Sequence, residues 1–434
     1  MMDERSAFAL LEGALAGASS DDIELGLHLT TAATTRFANN VITQNVETRE
    51  GELSVRVSFG RSSGSASTAS LDEESVAAAV RRAEAIARVM PADPEWLPSL
   101  GPQDYLEIPT FVPASRAFGP EDRAEAARGM VELARSKRVE LAGSITTTAR
   151  TSVLATSNGL RAFNESVSVD ASCTADAGDD GTGWAENGHR DVAEVDFRGL
   201  ARHACDRALA AARPMEVDAG DWTVILEPPA LTGLLSYMLW FWNARDTYAG
   251  RTFLSGKVGE AIVGENITLR SEPADPALLA SPFDWRGIPV RPRTWIERGR
   301  VVDFYHDRWT AKEKGIEPTP WPSGLVLDGG HKTREALISE TERGLLVSRF
   351  WYIRSVDPMQ LLLTGMTRNG TFLIEDGRIT GAVRNLRFNE STLGALSRVE
   401  AMTPAVPAGQ TESQRMRVPT TRIRDFHFDS VTRF

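Results

Sequence analysis

The chain has 434 residues, 42% hydrophobic and 25% charged, which is enough for a substantial core and longer than one core usually grows. A net charge of −11 and the lack of any Lys/Arg run beyond two residues argue against a nucleic-acid-binding surface. Two cysteines, Cys173 and Cys205, supply neither a disulfide framework nor a Cys-rich zinc pattern.

From the N-terminus, MMDERSAFALLEGALAGASS begins acidic and lacks a cationic leader region, so it reads as an amphipathic helix in a cytoplasmic protein. IELGLHLTTAATTRFANNVITQN (23–45) and ELSVRVSFG (52–60) alternate in polarity, with a turn at Asn39-Asn40. In the second stretch Leu53, Val55, Val57 and Phe59 share a face, as in a half-buried strand. GRSSGSAS (60–67) lacks a phosphate-loop lysine and reads as a flexible hairpin turn. Ser70 or Asp72 then caps a helix whose stripe is Val76, Ala79, Val80, Ala83, Ile86 and Ala87. A proline-rich connector follows over 91–118, and a helix over 120–137. Residues 141–176 are again strand-rich, with an Asn158-Gly159 turn, and 196–214 is a helix stopped by Pro214. Strands, an Asn-containing turn, strands and a helix thus occur twice, as an internal duplication would leave them.

From Asp221 the texture changes. DWTVILEP is a buried strand, LTGLLSYMLWFW (231–242) is apolar around its whole circumference, and short β-like stretches follow, with hairpin turns at ERGR and EDGR. The apolar segment is too short to span a bilayer. The fold class is therefore α+β. An N-terminal region of mixed strands and helices precedes a largely antiparallel β domain with a buried aromatic helix, and the expected divisions are 1–110, 111–215 and 216–434.

The chemistry-bearing residues are sparse. No two of the six histidines stand at helical i, i+4 spacing. His203, on the 196–214 helix, reads as a surface residue. In VDFYHDRWTAKEKG (302–315) strand alternation sets Asp303, Tyr305 and Asp307 on one face and His306 on the other, which splits the apparent Asp–His pair. Glu227, Asp246, Glu260 and Glu265 flank the aromatic segment and read as ordinary carboxylates of an acidic surface. A helix apolar on every side is central to a core, or buries its second face in a partner or ligand groove. Tyr237, Met238, Trp240 and Trp242, with His306, are the candidate substrate or interface residues.

TTRFANNVITQNVETREGELSVRV (34–57), STASLDEESVAAAVRRAEAIAR (67–88), VILEPPALTGLL (224–235), AGRTFLSGKVGE (249–260), VDFYHDRWTAKEKG and GTFLIEDGRITGAVRNLRFNES (370–391) together resemble the TldD/PmbA (TldE) proteins, once called modulators of DNA gyrase. The resemblance implies a hollow dimer that acts on peptides or unfolded proteins. Its TldD-type subunit is a zinc metallopeptidase with His-Glu-x-x-x-His on the helix after the VIL-type strand and a cysteine near the C-terminus. Here that helix is LLSYMLWFWNARD, with Tyr237, Met238 and Trp242 near the ligand positions, and SRVEAMTPAVPAGQT (397–411) has no cysteine. The chain thus resembles the PmbA/TldE-type subunit, with no cofactor of its own and zinc in the partner. The alternatives are a homo-oligomeric peptide-binding protein without a catalytic partner, and an unrelated metal-free hydrolase centred on His306.

Overall fold

Alternating polarity along unusually long strands sets the frame of the first half. The structure, a computed structural model, describes residues 2–410 and 413–432. After α1 (Glu4–Ala16), β1 (Asp22–Ala38) and β2 (Val41–Phe59) form an antiparallel ribbon turned by Asn39 and Asn40, both at positive φ. β3 (Ser62–Thr68) adds to β2, and α2 (Glu73–Val89) follows with Asp72 at its N-cap, accepting from the Ser75 amide at 2.8 Å. The connector ends in α3 (Pro113–Ala117). Then α4 (Pro120–Ser136), β4 (Glu140–Thr156), β5 (Arg161–Asp176), β6 (Thr182–His189) and α5 (Phe197–Ala210) restate the order helix, three strands, helix.

All six strands belong to one antiparallel sheet, β3-β2-β1-β4-β5-β6, so the two units meet across β1 and β4. Odd-numbered β1 side chains feed both cores, Leu25 and Leu27 beneath α1 and α2, Phe37 beneath α4 and α5. Both helix pairs therefore cover the same face. The other face carries Leu154, Leu160 and Ala162 against Phe283 of the second half.

One packing detail is repeated between the units. A Cβ on Gly64 in β3 would lie 2.2 Å from the Ala83 carbonyl oxygen and 2.5 Å from the Ala87 nitrogen in α2. A Cβ on Gly183 in β6 would lie 2.0 Å from the Ala204 carbonyl oxygen and 2.7 Å from the Ala208 nitrogen in α5. In each unit the third strand presses its bare backbone against a helix (Gly–Ala contact), as two copies of one ancestral unit would do. The same contact corrects the reading of residues 60–67. The turn is confined to Gly60-Arg61, and Ser62 onward is a strand whose small side chains let α2 approach. Residues 41–59 are likewise one continuous strand rather than two.

In the second half, β7 (Gly220–Leu226) leads into α6 (Pro228–Trp240) and α7 (Ala244–Tyr248). β8 (Leu269–Ser271), β9 (Arg293–Glu297), β10 (Arg300–Val301), α8 (Arg308–Lys314), β11 (Leu325–Leu327) and α9 (Arg334–Ser339) come next. β12 (Arg343–Asp357), β13 (Leu362–Glu375), β14 (Arg378–Ala382), β15 (Leu386–Ser391), α10 (Thr392–Ser397), β16 (Val399–Met402), β17 (Val406–Gln410), β18 (Ser413–Val418) and β19 (Thr421–Val431) complete the chain. One sheet runs β10-β9-β8-β11-β18-β17. In the other, β12-β7-β19-β15-β13 closes on itself because β13 also pairs with β12, and Phe350, Phe388, Phe426 and Phe428 fill this ring. α6 lies between ring and sheet, touching β12 on one side and β17 and β18 on the other. The α+β class, with a buried aromatic helix in a largely antiparallel second half, is thus observed directly.

Substitution tests the repeated contact. Gly64→Ala and Gly183→Ala each force backbone apart, and each is expected to cost about 1–3 kcal/mol. Gly13→Ala in α1, where nothing lies within 4 Å, is expected to stabilise by up to about 1 kcal/mol. Calorimetric Tm values of the three variants give the check, with the first two falling and the third rising.

Candidate functional site

The chemistry of the second half is decided around α6. Pro228 occupies its first turn, where the missing amide proton costs nothing. Residues 230–239 are buried without interruption. The two hydroxyls inside this run turn back on their own helix, Thr232 Oγ1 donating to the Pro228 carbonyl and Ser236 Oγ to the Thr232 carbonyl, each at 2.9 Å. Tyr237 is buried and donates its hydroxyl to the Ile353 carbonyl, while Arg354 Nη1 approaches that hydroxyl at 3.3 Å. Met238 is wholly enclosed. Trp240 closes the helix at 55% exposure, its ring 4.5 Å from that of Tyr237. Trp242 lies past the helix end, fully buried, and donates Nε1 to the Asp303 carbonyl at 3.1 Å.

That last bond brings His306 near, but not on a strand. Residues 303–307 are irregular; Tyr305 makes an isolated bridge to Asn243, and Asp307 caps α8 by accepting from the Thr310 amide at 2.9 Å. The expected split of Asp303 from His306 is therefore corrected, since His306 Nδ1 lies 3.6 Å from Asp303 Oδ1. They still form no catalytic dyad. Nδ1 is 2.8 Å from the Phe304 carbonyl, which can only accept, so Nδ1 carries the proton and Nε2 can receive the Tyr248 hydroxyl at 3.2 Å. Asp303 is held by Arg293 and accepts from the Phe304 amide. Burial pushes the His306 pKa below its ordinary 6.5, so the ring is neutral at pH 7.

The five sequence-predicted residues therefore fall into three places: Tyr237 with Trp240 at the end of α6, Met238 in the core, and Trp242 with His306 beneath the 303–307 loop. None of them lines the large groove that the molecule does contain. This groove, about 1010 Å³, runs between α5 and β6 of the first half and β12, β13 and the head of α6 in the second. At its base Glu227, the N-cap residue of α6, is not the surface carboxylate expected. It is buried, both its oxygens lie 2.8 Å from Arg207 Nη2, and Arg334 Nε donates to Oε1 at 2.9 Å. Burial pushes its pKa up, but the two guanidiniums outweigh burial and hold it below the usual value. His203 sits exposed on the rim, as its helix position suggests. Residue spacing gave no signal for Glu227; a single charge between a buried strand and Pro-Pro was the visible clue.

The donor chemistry around α6 does not fit zinc. Its candidate positions present thioether, indole and a phenol already engaged, and Cys173 and Cys205 are buried in the core beneath α4 and α5. Among the described residues no three His, Cys, Asp or Glu side chains gather as a metal would require. Thr411, at the end of the cysteine-free stretch 397–411, lies outside the described residues. No described helix is long and apolar enough to cross a membrane.

A strand-ribbon first half joined to a ring of strands and a second sheet, with a sealed helix between these two, is the architecture of a known peptidase class. Models of the PmbA/TldA metallopeptidase match in succession, domain 1 over residues 23–87, the central domain over 114–212 and the C-terminal domain over 219–430. The chain belongs to the PmbA/TldD family. It is 25% identical over 354 residues to metalloprotease PmbA of Escherichia coli O157:H7, covering 77% of each chain. It is 32% identical over 131 residues to a Methanocaldococcus jannaschii protein, a match that spans 30% of each chain. Its fold superimposes on TldE from Thermococcus kodakarensis with a TM-score of 0.87 at 22% identity, covering 98% of this chain and 100% of the other.

Two outcomes test the site. Glu227→Gln leaves two guanidiniums around a buried neutral amide and is expected to cost about 3–5 kcal/mol. Because the folded carboxyl is the stronger acid, its stabilisation is present above the ordinary pKa of 4.5 and is lost as pH falls through the folded value. Thermal melts between pH 3 and pH 7 are therefore expected to show an acid limb that Glu227→Gln flattens.

Proposed function

We propose that this chain is the non-catalytic subunit of a two-subunit zinc metallopeptidase acting on peptides or unfolded proteins, with the metal held by a TldD-like partner. The observation that carries the reading is the state of α6. Where the resemblance calls for imidazoles and a general base, this helix has ten consecutive buried residues whose hydroxyls bond to backbone carbonyls. No side chain there is left to polarise water or bind a Lewis acid. The family's metallopeptidase description and the protease name of the E. coli relative support peptides as the substrate class. A cytoplasmic heterodimer is the assembly consistent with this role.

The test is co-expression with a zinc-motif relative encoded beside this chain, followed by native mass and metal analysis. A heteromer with zinc only when the relative is present, and peptide hydrolysis only by the pair, is the expected result. Stoichiometric zinc in the solitary, active chain overturns the proposal. His306→Ala is expected to leave hydrolysis by the pair within about twofold, since its ring nitrogens serve Phe304 and Tyr248. It lowers Tm by removing a buried, hydrogen-bonded group. A large loss of kcat in a folded His306→Ala pair favours the hydrolase alternative instead.

A further inference from the structure

The groove between α5 and β12 holds a second buried cation, and this one has no ion pair among the described residues. Arg349 is 6% exposed, and its Nε has no hydrogen-bond partner among the described residues. Its guanidinium is stacked between two indoles, 4.4 Å from the Trp184 ring centre and 5.2 Å from that of Trp351. Its cross-strand partner in β13 is another cation, Arg368. Burial, then Arg368, pushes the Arg349 pKa down to about 10.

The backbone is shaped to present this group. The β12–β13 register slips here: the two steps from Val347 to Arg349 face three in β13, from Thr371 to Arg368, so a bulge at Asn369-Gly370 stands opposite Ser348. Ser348 and Arg349 both line the groove, and the Ser348 hydroxyl is buried with no partner among the described residues either. Gly370 opposite, at φ +119°, leaves room beside it; a Cβ there would come within 2.9 Å of both Ser348 Oγ and Arg207 Cδ. The carboxylates of the groove are already engaged: Glu227 by Arg207 and Arg334, Glu186 by Arg415, and Asp206 by Lys137, while Asp196 caps α5. What remains is a guanidinium with no ion pair among the described residues, beside an unpartnered hydroxyl. The groove walls are apolar and partly open to solvent, with Ile379 at 44% and Val406 at 46% exposure, beside Phe372.

We propose that this groove receives the C-terminal carboxylate of a peptide on Arg349 and Ser348, with the adjoining side chain against Phe372, Ile379 and Val406. The guanidinium fork matches a carboxylate in a planar, two-bond geometry, and the hydroxyl supplies a further donor. The apolar wall suits the last side chain of a peptide better than a bare inorganic anion. The inference rests on the reading of the chain as a peptide-handling subunit. It adds that recognition is anchored on the free end of the peptide, outside the buried run 230–239 of α6.

The test uses the full chain, alone and in the reconstituted pair, with a fluorescein-labelled hexapeptide ending in leucine, as the free acid and as the C-terminal amide. Fluorescence anisotropy is expected to give at least about tenfold tighter binding of the acid, the worth of one charge-assisted contact. Arg349→Met abolishes that preference and, by removing an uncompensated buried charge, raises Tm. Ser348→Ala reduces the preference with Tm little changed. Equal affinity of acid and amide overturns the carboxylate inference and leaves the peptide reading standing; failure of both peptides to bind removes both. A preference that survives Arg349→Met in a folded variant also overturns it. So does inorganic phosphate binding that is lost on Arg349→Met while the two peptides bind alike.

Discussion

A carboxylate at the head of α6 ties the two halves of the molecule together. Glu227 closes β7, opens α6, and receives Arg207 from α5 and Arg334 from the first turn of α9. Removing Arg207 and Glu227 from water, with Arg334 partly exposed, is expensive, and an apolar cluster of equal volume would stabilise as well or better. What the ionic version supplies is geometry. A guanidinium and a carboxylate meet in only a few orientations, so the first-half helix, the strand-to-helix turn and α9 are held in one arrangement. The negative charge also stands at a helix N-terminus, where the backbone dipole favours it. Because both oxygens are taken by arginines, Glu227 does not cap α6 with its side chain, and the start of the helix rests instead on Pro228.

With its head fixed, α6 is sealed along its length by the closed ring on one side and the second sheet on the other. The consequence for chemistry is direct. A metal site needs side chains that aim their lone pairs at a common point with space left for water. In α6 the polar atoms aim at carbonyls: Thr232 and Ser236 at their own helix, Tyr237 at Ile353. Each bond is what allows the group to be buried at all, and each uses the donor that a reaction would require. Packing therefore sets what α6 presents: each of its three hydroxyls is committed to a backbone carbonyl.

Much of the frame was legible in the sequence. Alternation gave the strands of the first half, Asn-Asn and Asn-Gly gave their turns, and Asp72 gave the helix cap, because each depends on neighbours only. The buried nature of LTGLLSYMLWFW was equally visible. What failed depended on distant chain segments. Residues 60–67 looked like a loop because they are small, and they are small because α2 lies against Gly64. VDFYHDRW looked like a strand, yet Trp242 and Tyr305 hold its middle as an irregular bridge, which returns His306 to the side of Asp303. Glu227 looked like surface because nothing local reveals two arginines, one 20 residues before it and one 107 after. The groove was invisible for the same reason: its walls come from β6, α5, β12 and β13, and only the Arg within LLVSRFWYI hinted that an apolar strand was carrying a charge inward.

The two buried cation systems of the groove differ in a way that bears on what each is for. Arg207 and Arg334 share a carboxylate, so their cost is met inside the fold, and their role is architectural. Arg349 faces two indoles and another arginine. Cation–π contact recovers only part of its hydration, about 0.5–2 kcal/mol in partly desolvated settings. A residue that costs the folded state this much, set across from a bulge and beside a hydroxyl with no partner among the described residues, is not explained by the stability of the chain alone. Buried groups that leave bonding capacity unused inside a groove are what a ligand completes, and the ligand's affinity is drawn from that deficit. Under the proposed function, a groove that holds the end of a peptide serves proteolysis without itself supplying a catalytic group.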